Sequence, residues 1–252
     1  MKLRMTSAWA SSLLLLLLMP MSALAQLEKT DFDKARYASL ANIDLFVSMS
    51  ARVDLAGLRA SQSGAGTAAA VAGGVDGALV ASNVLQVNKE CTAKVAEQLP
   101  SPDRRLEQEL AQSLTAALGA AGYRVNYLAQ QVLPRDATTR KIDFAKLASG
   151  AEAAMYANIA LLSYSQEGDK IVPSVGIDVF LYVPKEEKLV YRRMITVGKP
   201  TVPHADILVI ESNQAQSFAS RDELCADPKR ASDRLRLMAT SIAATVAAGL
   251  SK

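Results

Sequence analysis

Two β-rich runs separated by five residues constrain this chain more than any other feature. In the first, Val175, Ile177, Val179, Leu181 and Val183 alternate with Gly176, Asp178, Phe180 and Tyr182. In the second, Leu189 to Val197 is rich in β-branched and aromatic residues, and Pro184 to Lys188 between them reads as a turn. A period of two over such lengths buries one face of each strand, so the pair predicts a hairpin that must lie on a core. Tyr156 to Ser165, closing at Glu167-Gly168-Asp169, predicts a third strand just before it.

The remaining elements follow from their periods and breakers. Ile43, Leu45, Val47 and Met49 alternate with Asp44, Phe46 and Ser48 as a strand, which either runs on through Ala51, Val53 and Leu55 or stops and restarts. A helix is expected from about Val75 to Gln98, broken at Pro100-Ser101-Pro102-Asp103, with Ser101 or Asp103 capping the next helix. Leu106, Leu110, Leu114, Ala117 and Leu118 form that helix's apolar stripe, and Gly122 stands at its C-cap. Tyr123 to Val132 reads as a strand, and Asp143 as the cap of a short helix over Phe144 to Glu152. Ile207 to Ile210 reads as a short strand inside a loop, and Ser232 as the cap of a last helix bearing Leu235, Met238, Ile242 and Val246 on one face. The expected fold is therefore α+β: a mixed sheet of three to five strands with helices on one face, in the order β-α-β-α-β-β-β-α.

The N-terminus has the form of an export signal. Lys2 and Arg4 precede the unbroken Leu13 to Leu18 run, and Ala23-Leu24-Ala25 offers the small-x-small site for cleavage between Ala25 and Gln26. The residue after the cut is not Cys, so lipidation is not expected. The reading is residues 1–25 as signal, 26–42 as a flexible lead-in, and 43–252 as one α+β domain with a Gly/Ala-rich insert at 61–77. Without the signal the formal charge falls from +3 to +1, and no Lys/Arg block suggests nucleic acid.

Export changes how the two cysteines read. In an oxidising compartment Cys91 and Cys225 are expected to pair, closing a loop of about 135 residues worth nominally ~4–5 kcal/mol in chain entropy. Two separate buried thiols are the alternative. The insert is odder. Ser61 to Gly77 holds five glycines, and Asp76 is the only charge between Ala65 and Val87. Gly73 and Gly77 stand four apart, a spacing that packs helices closely in lipid. Ala and Gly gain little from hydrocarbon, however, and a central Asp costs a few kcal/mol. A Gly/Ala loop leading into a helix is the reading adopted, with peripheral membrane contact through this segment left open.

The segment Met155-Tyr156-Ala157-Asn158-Ile159-Ala160-Leu161-Leu162, followed by Ile177-Asp178-Val179-Phe180-Leu181-Tyr182 and Val190-Tyr191-Arg192-Arg193, resembles the small α+β domains of bacterial envelope assembly proteins. These are the curli-secretion lipoprotein, the penicillin-binding-protein activator lipoproteins and the N-terminal domain of the Tol translocation propeller. The resemblance spans residues 103 to 200 and is one of architecture. The Gly/Ala segment with its following helix also resembles a family of proteobacterial envelope proteins with a glycine-rich insert. The resemblance implies an accessory role in the envelope. This chain departs from it in lacking a lipidated Cys and in carrying the insert after its first strand.

No catalytic or cofactor-binding constellation is expected. The single histidine, His204, lies in a loop far in sequence from both cysteines, which does not make a zinc site. No G-x-S-x-G occurs, and Gly198-Lys199 is followed by Pro200 rather than Ser or Thr. Glu186-Glu187 read as a solvated turn, and Asp44, Asp54 and Asp178 as outward strand positions unless they meet across the sheet. Tyr182, Tyr191, Arg192 and Arg193 are candidate interface residues, being of the types favoured as anchors. The expected function is a non-enzymatic accessory or assembly protein, periplasmic or secreted and associated at most peripherally with the outer membrane. It would act on an envelope protein partner or on copies of itself. A small-ligand or lipid-binding protein is the first alternative, and a hydrolase with an unrecognised motif the second.

Overall fold

A computed structural model of the chain describes residues 29–55, 58, 75–101, 104–129, 134, 136–138, 142–146, 149–199, 206–212 and 214–251. Its elements are β1 (Asn42–Met49), β2 (Val53–Asp54), α1 (Val75–Glu97), β3 (Pro100–Ser101), β4 (Arg104–Arg105), α2 (Leu106–Ala120) and β5 (Arg124–Tyr127). They continue with β6 (Ala153–Glu167), β7 (Lys170–Val183), β8 (Lys188–Val197), β9 (Ile207–Ile210), α3 (Arg221–Ala226) and α4 (Pro228–Leu250). The fold is α+β. Its main sheet has seven strands, in the order β5-β1-β6-β7-β8-β9 with β2 added to β6. That is more than the three to five expected. The additions, β2 and β9, are two and four residues long, too short to show a period in sequence.

The meander β6-β7-β8 is antiparallel, whereas β5-β1-β6 and β8-β9 pair in parallel. A two-residue turn joins β6 to β7, with Gly168 at φ +60 in the loop position that a type II′ hairpin reserves for glycine. A register shift between Ile159 and Leu161 makes Ala160 an extra residue in β6. It reverses the parity of the strand: Met155, Ala157 and Ile159 face the core before it, Leu162 and Tyr164 after it. The same bulge decides the fate of β1. The amides of Ser50 and Ala51 both donate to the Ile159 carbonyl, the chain leaves the ladder, and β2 rejoins it opposite Leu162 and Ser163.

Among the described residues the α-helices cover one face only. α2 lies over β1 and β5, α4 lies over β7 and beside α2, and α1 packs against α4 and β2. The stripe Leu106, Leu110, Leu114 and Leu118 is fully buried, as are Leu235, Met238, Ile242 and Val246. At the end of α2, Gly122 has φ +93, its amide donates to the Gly119 carbonyl and that of Tyr123 to the Leu118 carbonyl. This is a Schellman ending with the buried Tyr123 as its apolar clasp.

Three local expectations are corrected. Ser101 does not cap α2. It lies in a two-stranded ribbon with Arg104, and Arg105 takes the N-cap position without a side-chain bond; Asp103 lies outside the described residues. The helix expected over 144–152 is only a 3-10 turn, Phe144–Lys146. Beyond it, Ser149 and Ala151 bond the Asp44 carboxylate and Glu152 accepts the Ala41 and Asn42 amides, so the chain is pulled straight into β6. Ser232 does not cap α4, because Asp227 accepts from the Arg230 amide and Pro228 opens the helix one turn earlier.

Residues 29–40, within the segment read as a flexible lead-in, pack on the domain. Phe32, Tyr37 and Leu40 enter the core, and Thr30 exchanges both backbone hydrogen bonds with Arg192. Among the described residues no helix is long and apolar enough to cross a membrane.

Candidate partner-binding edge

The two lateral edges of the sheet are finished differently. β5 closes one side with exposed polar side chains: Arg124 donates to Asn42 Oδ1 and Asn126 to Asp44 Oδ1. Short, polar edges of this kind discourage pairing with another chain. The other side ends at β8, whose free edge is covered over Arg192 by Thr30 and over Met194 to Val197 by β9. β9 is then itself the edge.

Local chemistry places it there. The chain leaves β8 at Gly198, which has φ +88 and lies so close to β7 that a Cβ would stand 2.5 Å from the Pro173 carbonyl oxygen. Only glycine fits. The Gly198 amide donates to the Ile210 carbonyl at 2.9 Å and the Lys199 amide to Ser174 Oγ at 3.1 Å, which tie the start of the connection and the end of β9 to the sheet. Ile207-Leu208-Val209-Ile210 favours extended backbone, and two of its side chains remain in solvent on opposite faces: Leu208 is 38% exposed and Val209 45%. Beside it runs an open groove of about 540 Å³, lined by Val209, Glu211, Gly198 and Lys199 and by Glu167, Asp169 and Lys170 of the β6–β7 turn. A second open groove, of about 590 Å³, lies beside β5 and contains Asp44. That carboxylate is already engaged by Asn126, Ser149 and the Ala151 amide, a structural role.

The sheet face opposite the helices carries a small second core. Phe46, Ala154 and Tyr156 are buried there with Leu128, Ile142, Phe144 and Phe180 against them. Phe144 stacks on Tyr182 at 5.6 Å, and Arg192 lies 5.3 Å over the Phe180 ring. Ser48 bonds the Tyr156 hydroxyl and Asn158 Oδ1. Asp178 sits beside this cluster, half-buried. Burial pushes its carboxyl above the usual range, and the nearby Arg192 partly offsets that.

The four residues expected to form an interface do not share a surface. Alternation along the hairpin sends Tyr182 and Arg192 to the second core and Tyr191 and Arg193 to the helix side. Tyr191 is only 3% exposed and lies against Gly249 of α4, while Arg193 pairs with Asp31. Asp44 and Asp178 do not meet: Asp44 aligns with Ala154 of β6, and Asp178 with Asn158, four residues further along. Cys91 of α1 and Cys225 of α3 are bonded, with Cα atoms 5.2 Å apart. Ala25, Gln26, His204 and residues 61–74 lie outside the described residues. Among the described residues, no three His, Cys, Asp or Glu side chains gather as a metal site. The residues that sequence reasoning passed over are Leu208 and Val209, whose signal was four successive aliphatics between Asp206 and Glu211.

No protein-family model matches the chain, and no curated protein matches it. Solved structures do. A hypothetical protein from Chlamydia trachomatis is 12% identical over 84% of this chain and 98% of its own, with a TM-score of 0.39. A PelC dodecamer from Paraburkholderia phytofirmans is 12% identical over 89% and 95%, at 0.34. A lipoprotein from Neisseria meningitidis is 14% identical over 66% and 88%, at 0.33. At such scores the likenesses carry no functional inference.

Proposed function

We propose that this chain is an exported, non-enzymatic accessory or assembly protein of the bacterial cell envelope, and that it takes a partner at the β9 edge. One observation carries the reading: Leu208 and Val209 stand exposed on opposite faces of a terminal strand that, among the described residues, is neither covered nor broken by a charge. A terminal strand offers unpaired amides and carbonyls, and chains that must stay alone cover or charge it. Among the described residues β5 and the outer edge of β8 are protected and β9 is not, which fits addition of a strand from another protein. Export is supported by the signal-like N-terminus and by the Cys91–Cys225 bond, which suits an oxidising compartment.

The test is a photo-crosslinking residue placed at Val209 or, as the control, at Arg124, in intact cells. A reproducible adduct with another protein from position 209 and none from position 124 is expected. Adducts from both positions alike, or from neither, refute the assignment.

A periplasmic ligand-binding role is the second reading, because both grooves have the volume of small-molecule sites. Native mass spectrometry of the exported protein decides it: a bound small molecule or lipid that survives purification would replace the first reading.

A further inference from the structure

Resting on the reading of β9 as the partner edge, we infer that Ser174, in β7, is the positioning residue of that edge. Its buried hydroxyl takes the Lys199 amide off the strand ladder and so sets β9 alongside β8. The need for such a residue follows from how little holds β9. It is four residues long, only Ile207 among its side chains is buried, and Leu208 and Val209 stand in solvent. A strand with so few apolar contacts opens locally far more readily than the core strands, so the ties at its ends decide how often it is in place.

The backbone of β7 explains why a side chain has to supply the tie. Ile171 exchanges both backbone hydrogen bonds with Phe218, on the side away from β6. Peptide groups two residues apart in a strand point the same way, so Pro173 also faces away from β6, toward the end of β8. The last pair of the β7–β8 ladder is Val175 with Val197, and the next would set Pro173 opposite Lys199. Proline has no N–H to give, so that pair would be only half made. The Lys199 amide donates instead to Ser174 Oγ at 3.1 Å. Val175 and Ile177 face the helix-side core, so Ser174 stands on the opposite face, and the chain is lifted off the ladder toward it. Gly198 makes the turn with φ +88, and its amide bonds the Ile210 carbonyl at 2.9 Å. Ser174 is 1% exposed, so its hydroxyl is held by packing rather than free to turn in solvent.

The experiment uses the mature, oxidised protein and follows amide hydrogen exchange residue by residue with NMR. Leu208 and Ile210 turn their amides to β8, because the Ile210 carbonyl already takes the Gly198 amide in this parallel ladder. In Ser174→Ala these two amides should exchange about three- to tenfold faster than in the parent, the loss of one net hydrogen bond, while those of Ile177 and Val179 in mid-β7 stay within about twofold. Thr196→Val is the control. It deletes another buried hydroxyl on the same face, one without a hydrogen-bond partner among the described residues, and should exchange like the parent. In cells, Ser174→Ala should lower the crosslinking yield from position 209 at an unchanged level of exported protein. Unchanged exchange of Leu208 and Ile210, equal acceleration throughout the sheet, or the same acceleration in Thr196→Val overturns the inference. So does undiminished crosslinking in a variant whose β9 exchanges faster. Faster exchange of β9 in Ser174→Ala, with no crosslink from position 209 in the parent, would leave Ser174 as what positions the strand and refute instead the reading of the edge as a partner site.

Discussion

Arg236 is the side chain whose loss should be felt most widely in this fold. It is 4% exposed, projects from α4, and donates to Glu109 on α2 and to the carbonyls of Gln98 and Leu99 just after α1. One guanidinium thus joins three helices and satisfies carbonyls that the end of α1 leaves orphaned. In Arg236→Met the aliphatic volume is largely kept, but two carbonyls lose a charged donor and the Glu109 carboxylate loses its cation. Breaking one side of a buried, hydrogen-bonded ion pair costs about 3–5 kcal/mol. In a chain of this size each kcal/mol lowers the melting temperature by about 2–4 °C, so a fall of roughly 6–20 °C is expected. Arg236→Lys should fall in between, since one ammonium cannot span both the carboxylate and the carbonyls. The assay is thermal and urea unfolding followed by circular dichroism at neutral pH, with the disulfide intact in every sample. A double-mutant cycle with Glu109→Gln should return a coupling of about 1–3 kcal/mol, because Glu109 keeps its other contacts. If Arg236→Met melts within about 3 °C of the parent, the clamp argument is wrong and the helices are held by their apolar stripes alone.

Other perturbations have equally definite outcomes. Replacing both cysteines by serine should cost about 2–5 kcal/mol in unfolding free energy, read by comparing urea midpoints of the variant and the oxidised parent. Gly198→Ala should cost about 2 kcal/mol or more, since it combines a positive φ with a Cβ placed 2.5 Å from a backbone oxygen, and a change under about 0.5 kcal/mol would contradict it. Burial holds the Tyr164 phenol far above its ordinary value, with its hydroxyl bonded to the Ala231 carbonyl. Because the folded protein then holds that proton more tightly than the unfolded chain, the contribution is complete below about pH 10 and is lost as the pH rises further, and one tyrosine should ionise only on unfolding. For Asp178, raised by burial, the charged form is the disfavoured one in the fold. Asp178→Asn should therefore match the parent below about pH 4 and become the more stable of the two as pH rises, measured by melts across that range.

What the sequence revealed and what it concealed divide along one physical line. Long elements with an internal period were legible: the β6-β7-β8 meander, the leucine stripe of α2 and the apolar face of α4 each announce which side is buried. Elements defined by a partner far away in sequence were not. β2 is too short to show alternation, and β9, although read as a short strand, gave no sign of its place in the sheet; both exist because β6 and β8 offer ladders to join. The lead-in looked polar because its apolar residues, Phe32, Tyr37 and Leu40, are spaced by charged ones, yet each finds the core. Caps were misplaced where a competing local partner won, as Asp227 did over Ser232.

The candidate interface residues follow the same rule, and that is why they do not share one face. Tyr182, Tyr191, Arg192 and Arg193 looked like one surface because they are close in sequence and of interface type. A strand separates neighbours onto opposite faces, and each of the four meets a ring or an ion partner within the domain or lies against α4. Leu208 and Val209 read only as part of a short strand inside a loop. What makes them conspicuous is position, since no further strand lies beyond β9 among the described residues. Composition therefore pointed away from the edge, and topology points to it. An aliphatic strand left at the rim of a sheet whose opposite rim is polar is an asymmetry that packing alone does not require. Substituting both Leu208 and Val209 by Thr should accordingly leave the melting temperature within about 3 °C of the parent while abolishing crosslinking from a probe at Ile210. A large loss of stability would instead make the edge part of the core and remove its claim to a partner.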